Sequence, residues 1–195
     1  MESIEFVPAG WIRLWPNFLG PEKAGWAFHQ LAESLQWEQL AIRMFGRLIN
    51  QPRLTAFYGE RGVSYRYSGL KFSAIEWSGA IHELACQVSA LTQHPFNSVL
   101  CNYYRDGQDS MGWHADDEPE LGTNPVIASV SLGASRRFDL KPKMGVTGMK
   151  QSIWLPSGSC LLMGGDLQHH WLHQIPKTKR VNEPRINLTF RWIPG

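Results

Sequence analysis

Eight residues near the end of the chain, Arg185-Ile186-Asn187-Leu188-Thr189-Phe190-Arg191-Trp192, alternate polar and apolar without a break. A period of two is the mark of a β-strand, whose side chains point to opposite faces in turn. Ile186, Leu188, Phe190 and Trp192 make one face, and Arg185, Asn187, Thr189 and Arg191 the other. A polar strand face usually meets water. Two guanidiniums and an amide on one face also suit a dianion, because arginine pairs bidentately with carboxylates.

Other short strand-like segments precede it once His94-Pro95 is passed: 99–104, 126–132, 137–140, 153–155 and 159–163, separated by Gly and Pro turns. Earlier, 21–36 reads as a helix, with Pro21 suited to its first position and Ala24, Phe28, Leu31 and Leu35 at helical spacing. A second helix is expected over 76–91, with Ile81, Leu84, Ala85, Val88 and Leu91 on one face and Gly79 weakening its start. Helices followed by a run of strands indicate an α+β domain, a β-sandwich or jelly roll braced by helices. At 195 residues the chain suits one domain. Residues 52–72 read as a β-hairpin region with exposed aromatics.

Charge excludes little overall, since the net is only +2, but its distribution is uneven. From Lys141 onward eight Lys and Arg face two acidic residues, a local excess that attracts phosphates where it is not simply a solvated face. Lys177, Lys179 and Arg180 form one basic cluster, and Arg136, Arg137, Lys141 and Lys143 another. Cys86, Cys101 and Cys160 are odd in number and far apart, which implies no disulfide framework or zinc ribbon. With no signal-like start and no bilayer-length apolar run, a reduced cytoplasmic compartment (nuclear in a eukaryote), no membrane and a monomer are expected.

Two residues apart on an extended chain point the same way, so His114 and Asp116 in Gly112-Trp113-His114-Ala115-Asp116 can grip one ion. Two histidines and a carboxylate on one face of an octahedron leave three positions open, the pattern of non-haem iron(II) oxygenases. The distant histidine must come from Gln168-His169-His170-Trp171-Leu172-His173. On a helix His169 and His173 would share a face, but Gly164-Gly165 before the run and Pro176 after it favour a short extended segment. His173 is chosen, with His169 and His170 left peripheral. Asn102 and Tyr104 share a strand face and can hydrogen-bond the same acid as the arginines.

Taken in order, Asn102-x-Tyr104, His114-x-Asp116, His173 and Arg185-x-Asn187 with Arg191 and Trp192 resemble the motif set of the AlkB-type iron(II)- and 2-oxoglutarate-dependent dioxygenases that dealkylate nucleic acids, and most of all the members that repair duplex DNA. Pro52-Arg53-Leu54-Thr55-Ala56-Phe57-Tyr58-Gly59 and Tyr67-Ser68-Gly69 look like that family's nucleotide-recognition lid. The resemblance runs from about 50 to 193. It implies a double-stranded β-helix core over about 97–193, a lid over about 50–75 and a bracing segment over about 1–50.

The resemblance also implies roles. His114, Asp116 and His173 would hold Fe(II). Arg185 would pair with the distal carboxylate of 2-oxoglutarate, Arg191 would support its chelating end, and Asn102, Tyr104 and Asn187 would complete its site. Tyr67 would stack on an extruded base opposite His114, with Tyr65 beside it and Glu118 at its edge. Apart from the resemblance, the charge of Lys177, Lys179, Arg180, Arg136 and Arg137 leads to the expectation that they meet the nucleic-acid backbone. The expected reaction, with O2, is oxidative demethylation of bases such as N1-methyladenine or N3-methylcytosine in DNA, with RNA as a further substrate. The competing readings are an oxygenase acting on protein or a small molecule, and a non-catalytic jelly-roll binding module.

Overall fold

A computed structural model describes residues 2–6, 10–44, 47–67, 70–77 and 79–194; the side chains at 2–6, 42–44, 65–67 and 70–72 lie outside that description. Strand β1 is Glu2–Phe6 and β2 is Gly10–Trp15, followed by helix α1, Pro21–Ser34. Among the described residues, short strands β3 (Ala41–Met44) and β4 (Arg47–Asn50) pair only with each other. Then come β5 (Leu54–Gly59), the pair β6 (Ser64–Tyr67) and β7 (Leu70–Ser73), and β8 (Ile75–Glu76). Helix α2, Gly79–Thr92, leads into β9 (Ser98–Tyr104) and β10 (Met111–His114). The rest is β11 (Ile127–Gly133), β12 (Arg136–Pro142), β13 (Gln151–Leu155), β14 (Ser159–Gly165), the one-turn helix α3 (Leu167–His170), β15 (Trp171–Ile175) and β16 (Arg185–Arg191).

Two sheets face each other. The larger runs β1-β2-β14-β11-β16-β9-β5-β8 and the smaller β10-β15-β12-β13. All the pairings are antiparallel except β5 with β8. Antiparallel strands shared between two facing sheets, with helices on one outer side, make the jelly roll expected from the strand run.

Alternation then sorts the side chains. Ile186, Leu188 and Phe190 of β16 turn outward with Val99, Cys101, Val130, Leu132, Cys160 and Leu162 to meet Ala24, Ala27 and Leu31 of α1 and Ile81, Leu84, Ala85 and Val88 of α2. Leu161, Met163 and Ile127 turn inward and meet Phe138, Leu140, Leu155, Trp171 and Ile175 of the smaller sheet. The polar face of β16 points into this same gap, and every residue of the strand is buried. Cys101 and Cys160 are core residues whose thiols burial pushes up, Cys160 to about 12, and the three cysteines are free.

Several expectations need correction. Residues 10–15 are a strand of the large sheet, paired with β14, and not only a brace. The first stretch of the expected lid, which forms β5, lies inside that sheet between β9 and β8. Phe57 and Tyr58 are buried there, and the Tyr58 hydroxyl accepts the backbone N–H of Gln36. Trp192 lies past the end of β16 and is exposed. Helix α2 starts later than expected because Gly79 takes a positive φ of 56°, a conformation glycine adopts at little cost, and the helix begins from it. The lid residues Ser68 and Gly69 are outside the described residues. So are the side chains of Tyr65 and Tyr67, although the backbone of β6 carries both.

Candidate active site

His114 ends β10 and is paired directly with His173 of β15. Asp116 follows two residues later. One ligand atom from each of His114, Asp116 and His173 lies within 4.8 Å of the others, so the three can hold one metal ion. The two imidazole rings meet edge to face at 4.2 Å, and Phe138 lies 5.2 Å from the His173 ring. Nδ1 of His114 lies 2.8 Å from the Gly112 carbonyl. A proton on that nitrogen would be donated to the carbonyl and leave Nε2 for the metal. The His-rich segment is mixed: α3 is one helical turn, and the chain becomes extended only at Trp171. That turn leaves His169 exposed and His170 half-buried, while the strand buries His173.

Two residues that the sequence did not single out position this set. Gln168, buried in α3, accepts the Asp116 backbone N–H through Oε1 at 3.0 Å. Arg53, buried just before β5, donates through Nε to Asn102 Oδ1 at 2.8 Å and through Nη1 to the Ser110 carbonyl. An amide beside a histidine pair and an arginine after a proline are common, and only the fold brings them here.

The electrostatics favour a divalent cation. Nη2 of Arg191 lies 3.0 Å from Asp116 Oδ1. Burial pushes the Asp116 carboxyl up, but Arg191 and then the two imidazoles outweigh it and hold it near 2. Burial, and secondarily His114, takes His173 down to about 3. Loss of water, opposed by Asp116, also lowers His114. At neutral pH the set is therefore two neutral imidazoles and one carboxylate, the protonation state that metal binding requires.

The ligands open onto a cavity between the sheets, with about 470 Å³ of empty space including its open mouth. Leu100, Met111, Phe138, Met163 and Ile175 form its apolar wall, and Asn102, Tyr104, Ser129, Asn187, Thr189 and Arg191 its polar one. Arg185 stands behind Tyr104 and Asn187: it is fully buried, its guanidinium lies 5.2 Å from the Tyr104 ring centre, and Nη2 donates to Asn187 Oδ1 and Ser131 Oγ. Asn187 in turn accepts from Ser129 Oγ and donates to Thr189 Oγ1. Nε and Nη1 of Arg185 have no hydrogen-bond partner among the described residues, and burial lowers its pKa to about 10. A buried cation with two unpaired donors is costly unless an anion completes it. Together with the two-histidine, one-carboxylate donor set, it fits iron(II) with a dicarboxylate cosubstrate.

Of the residues expected at the nucleic-acid backbone, Lys177, Lys179 and Arg180 are exposed on the loop after β15, and Arg137 is exposed on β12. Arg136 is not available: it is 1% exposed and donates to the carbonyls of Asp106, Asp109 and Pro176. On an alternating strand its neighbour Arg137 faces out, so Arg136 must face in. There it holds the start of the basic loop. Glu118 is half-buried, two residues beyond Asp116, before a single 3-10 turn at Pro119–Leu121.

A family model described as the 2OG-Fe(II) oxygenase superfamily matches residues 12–191. Alpha-ketoglutarate-dependent dioxygenase alkB homolog 3 of Mus musculus is 40% identical over 201 residues, which cover 98% of this chain and 70% of that protein. DNA oxidative demethylase ALKBH2 of Homo sapiens is 37% identical over 183 residues, covering 89% and 70%. Among solved structures, that of OsALKBH1 superposes with a TM-score of 0.66 at 17% identity, over 98% of this chain and all of that one, which shows the shared fold. The chain belongs to the 2OG-Fe(II) oxygenase superfamily, in its AlkB-type branch, and is an iron(II)- and 2-oxoglutarate-dependent dioxygenase that uses O2.

Proposed function

We propose that this enzyme oxidatively removes methyl groups from alkylated bases of nucleic acid, DNA first. The observation that carries the reading is the ligand set His114, Asp116 and His173 facing the inward polar side of β16, in a chain whose relatives include proteins named DNA oxidative demethylase.

Each group has a task in this reading. When bound, iron(II) with 2-oxoglutarate and O2 supplies the oxidising power to hydroxylate a C–H bond that acid–base chemistry cannot attack, releasing succinate and CO2. His114, Asp116 and His173 hold the metal. Gln168 holds the Asp116 backbone and Arg191 its carboxylate. Arg185 offers its two unpaired donors to the distal carboxylate of 2-oxoglutarate, and Asn102, held by Arg53, Tyr104 and Asn187 complete that site. Arg191 adds positive charge on the chelating side through its place beside Asp116. The apolar wall keeps water from the reacting methyl. A hydroxylated N-methyl group then leaves the base as formaldehyde.

A base within a duplex cannot reach a cavity between two sheets, so the substrate nucleotide is extruded. Tyr67, with Tyr65 beside it, stacks on the extruded base opposite His114, and the Glu118 carboxylate favours a cationic lesion such as N1-methyladenine or N3-methylcytosine. Lys177, Lys179 and Arg180 meet phosphates. Among the described residues no helix is long and apolar enough to cross a membrane. The three free thiols suit a reduced compartment, and elution at the 22.2 kDa of one chain would test the expected monomer.

The deciding experiment is mass spectrometry of an N1-methyladenine oligonucleotide, single- and double-stranded, after incubation with iron(II), 2-oxoglutarate and O2. Loss of the methyl that requires all three additions is the expected result. Succinate formation with an unchanged oligonucleotide would leave an oxygenase of another substrate class.

A further inference from the structure

The four strands of the smaller sheet carry a single carboxylate, Asp139, and it is fully buried. On β12 the inward residues are Arg136, Phe138 and Leu140, so Arg137, Asp139 and Lys141 lie on the outer face. Asp139 is covered by Arg137 at 2.9 Å and Lys150 at 3.5 Å, with Ser152 and Gln174 bonded to it. Arg137 and Lys150 therefore share one buried anion, and with Lys141 on the same face they leave a positive surface.

At one end of this face Lys141 and Lys150 stand over the ring of Trp113, at 4.5 and 5.4 Å from its centre. Trp113 immediately precedes the metal-site residue His114. At the other end, four residues or about 13 Å along the strand, Arg137 is paired across to Trp154 of β13. Trp154 is 63% exposed and makes no ring or cation contact among the described residues. A groove beside it is lined by Arg137, Lys177, Thr178 and Arg180. A large aromatic face left in water next to arginine and lysine side chains is the combination that holds a single nucleic-acid strand: cations follow the phosphates and the ring stacks a base.

We propose that the outer face of the smaller sheet, from Lys141 and Lys150 to Trp154, is a track for a single-stranded stretch of nucleic acid flanking the nucleotide in the cavity, with Trp154 stacking one of its bases. The proposal rests on the reading of the cavity as a nucleic-acid site and extends it to a surface remote from the metal. The track adds affinity for long strands without reading sequence, because every base offers a flat face.

The test separates the track from the demethylase reading by measuring binding apart from turnover. Fluorescence anisotropy of a labelled, unmodified single-stranded 20-mer would be compared for the wild-type, Trp154→Ala and Trp154→Phe proteins. Binding about tenfold weaker in Trp154→Ala, largely restored in Trp154→Phe, is expected. Arg180→Gln should lower the slope of log affinity against log salt by about 0.7. The KM ratio of a methylated 20-mer to a methylated trinucleotide should rise in Trp154→Ala. Unchanged 20-mer binding in Trp154→Ala, equal losses in both Trp154 variants, or equally good competition by an acidic peptide would overturn the track. Normal 20-mer behaviour with no demethylation of either substrate would instead sink the demethylase reading.

Discussion

Single side chains decide what this cavity can hold. Asp116 is kept ionised because Arg191 outweighs its burial, and its backbone is held by Gln168. Gln168→Ala removes the bond to the Asp116 backbone N–H and a weak one to Met163 Sδ; it should leave the fold intact yet weaken metal binding about 10–100-fold, as removal of groups that orient metal ligands does. Calorimetric titration of the metal-free protein with manganese(II) would check it, and unchanged affinity would remove Gln168 from the site. Arg185→Gln should raise the 2-oxoglutarate requirement about tenfold or more, the loss of a charge-assisted bond worth about 1.5–3 kcal/mol. Succinate formation at graded 2-oxoglutarate would read it, and an unchanged half-saturation point would show that the buried guanidinium serves structure alone. Of these groups His114, Asp116, His173 and Arg185 were legible from spacing and chemistry. Gln168 and Arg53 were not, because a polar residue's partner more than forty positions away leaves no local mark.

At the scale of the element, β16 does the most. Its alternation was readable, but which face met water was not, and the structure buries both. The outward apolar face anchors the helices and the inward polar face forms the cavity wall, so one strand joins the core to the chemistry. The loop after β15 is a second such element. It is pinned where Gly107 donates to the Val181 carbonyl and accepts from the Thr178 N–H, and where Arg136 donates to Pro176. A Cβ at position 107 would collide with the carbonyl oxygens of Thr178 and Val181. Gly107→Ala should therefore cost about 1–3 kcal/mol and weaken oligonucleotide binding while succinate formation without nucleic acid continues. Thermal melting together with anisotropy would show both effects, and a variant that melts and binds like the parent would mean that the loop is not held this way.

The whole molecule is a two-sheet sandwich whose smaller sheet depends on the Asp139 network. Burial pushes that carboxyl up, but bonds from Ser152 and Gln174, then Arg137 and Lys150, bring it below its ordinary range. A carboxyl whose pKa is lower in the folded chain stabilises fully above the unfolded value of about 3.9, and this contribution fades as pH falls through the folded value. Asp139→Asn should thus cost about 1–3 kcal/mol at pH 7, with the gap from wild type closing below about pH 4. Urea unfolding at the two pH values would measure it, and a gap independent of pH would show that the carboxylate's charge is not what matters.

What the sequence determined alone is whatever depends on neighbours along the chain. The period of β16, the helical faces of α1 and α2, the two-residue spacing of His114 and Asp116, and the jelly-roll order of short strands are all set by local geometry. The tertiary structure decided what depends on distance in space. It buried Arg136 where a free cation was expected, took β2 and β5 into the large sheet, and placed Arg185 behind Tyr104 with two donors open. The physical reason is common to these cases: a strand's pattern states that its faces differ, but only the sheet packed against each face determines which side is water, which is core and which is the cavity.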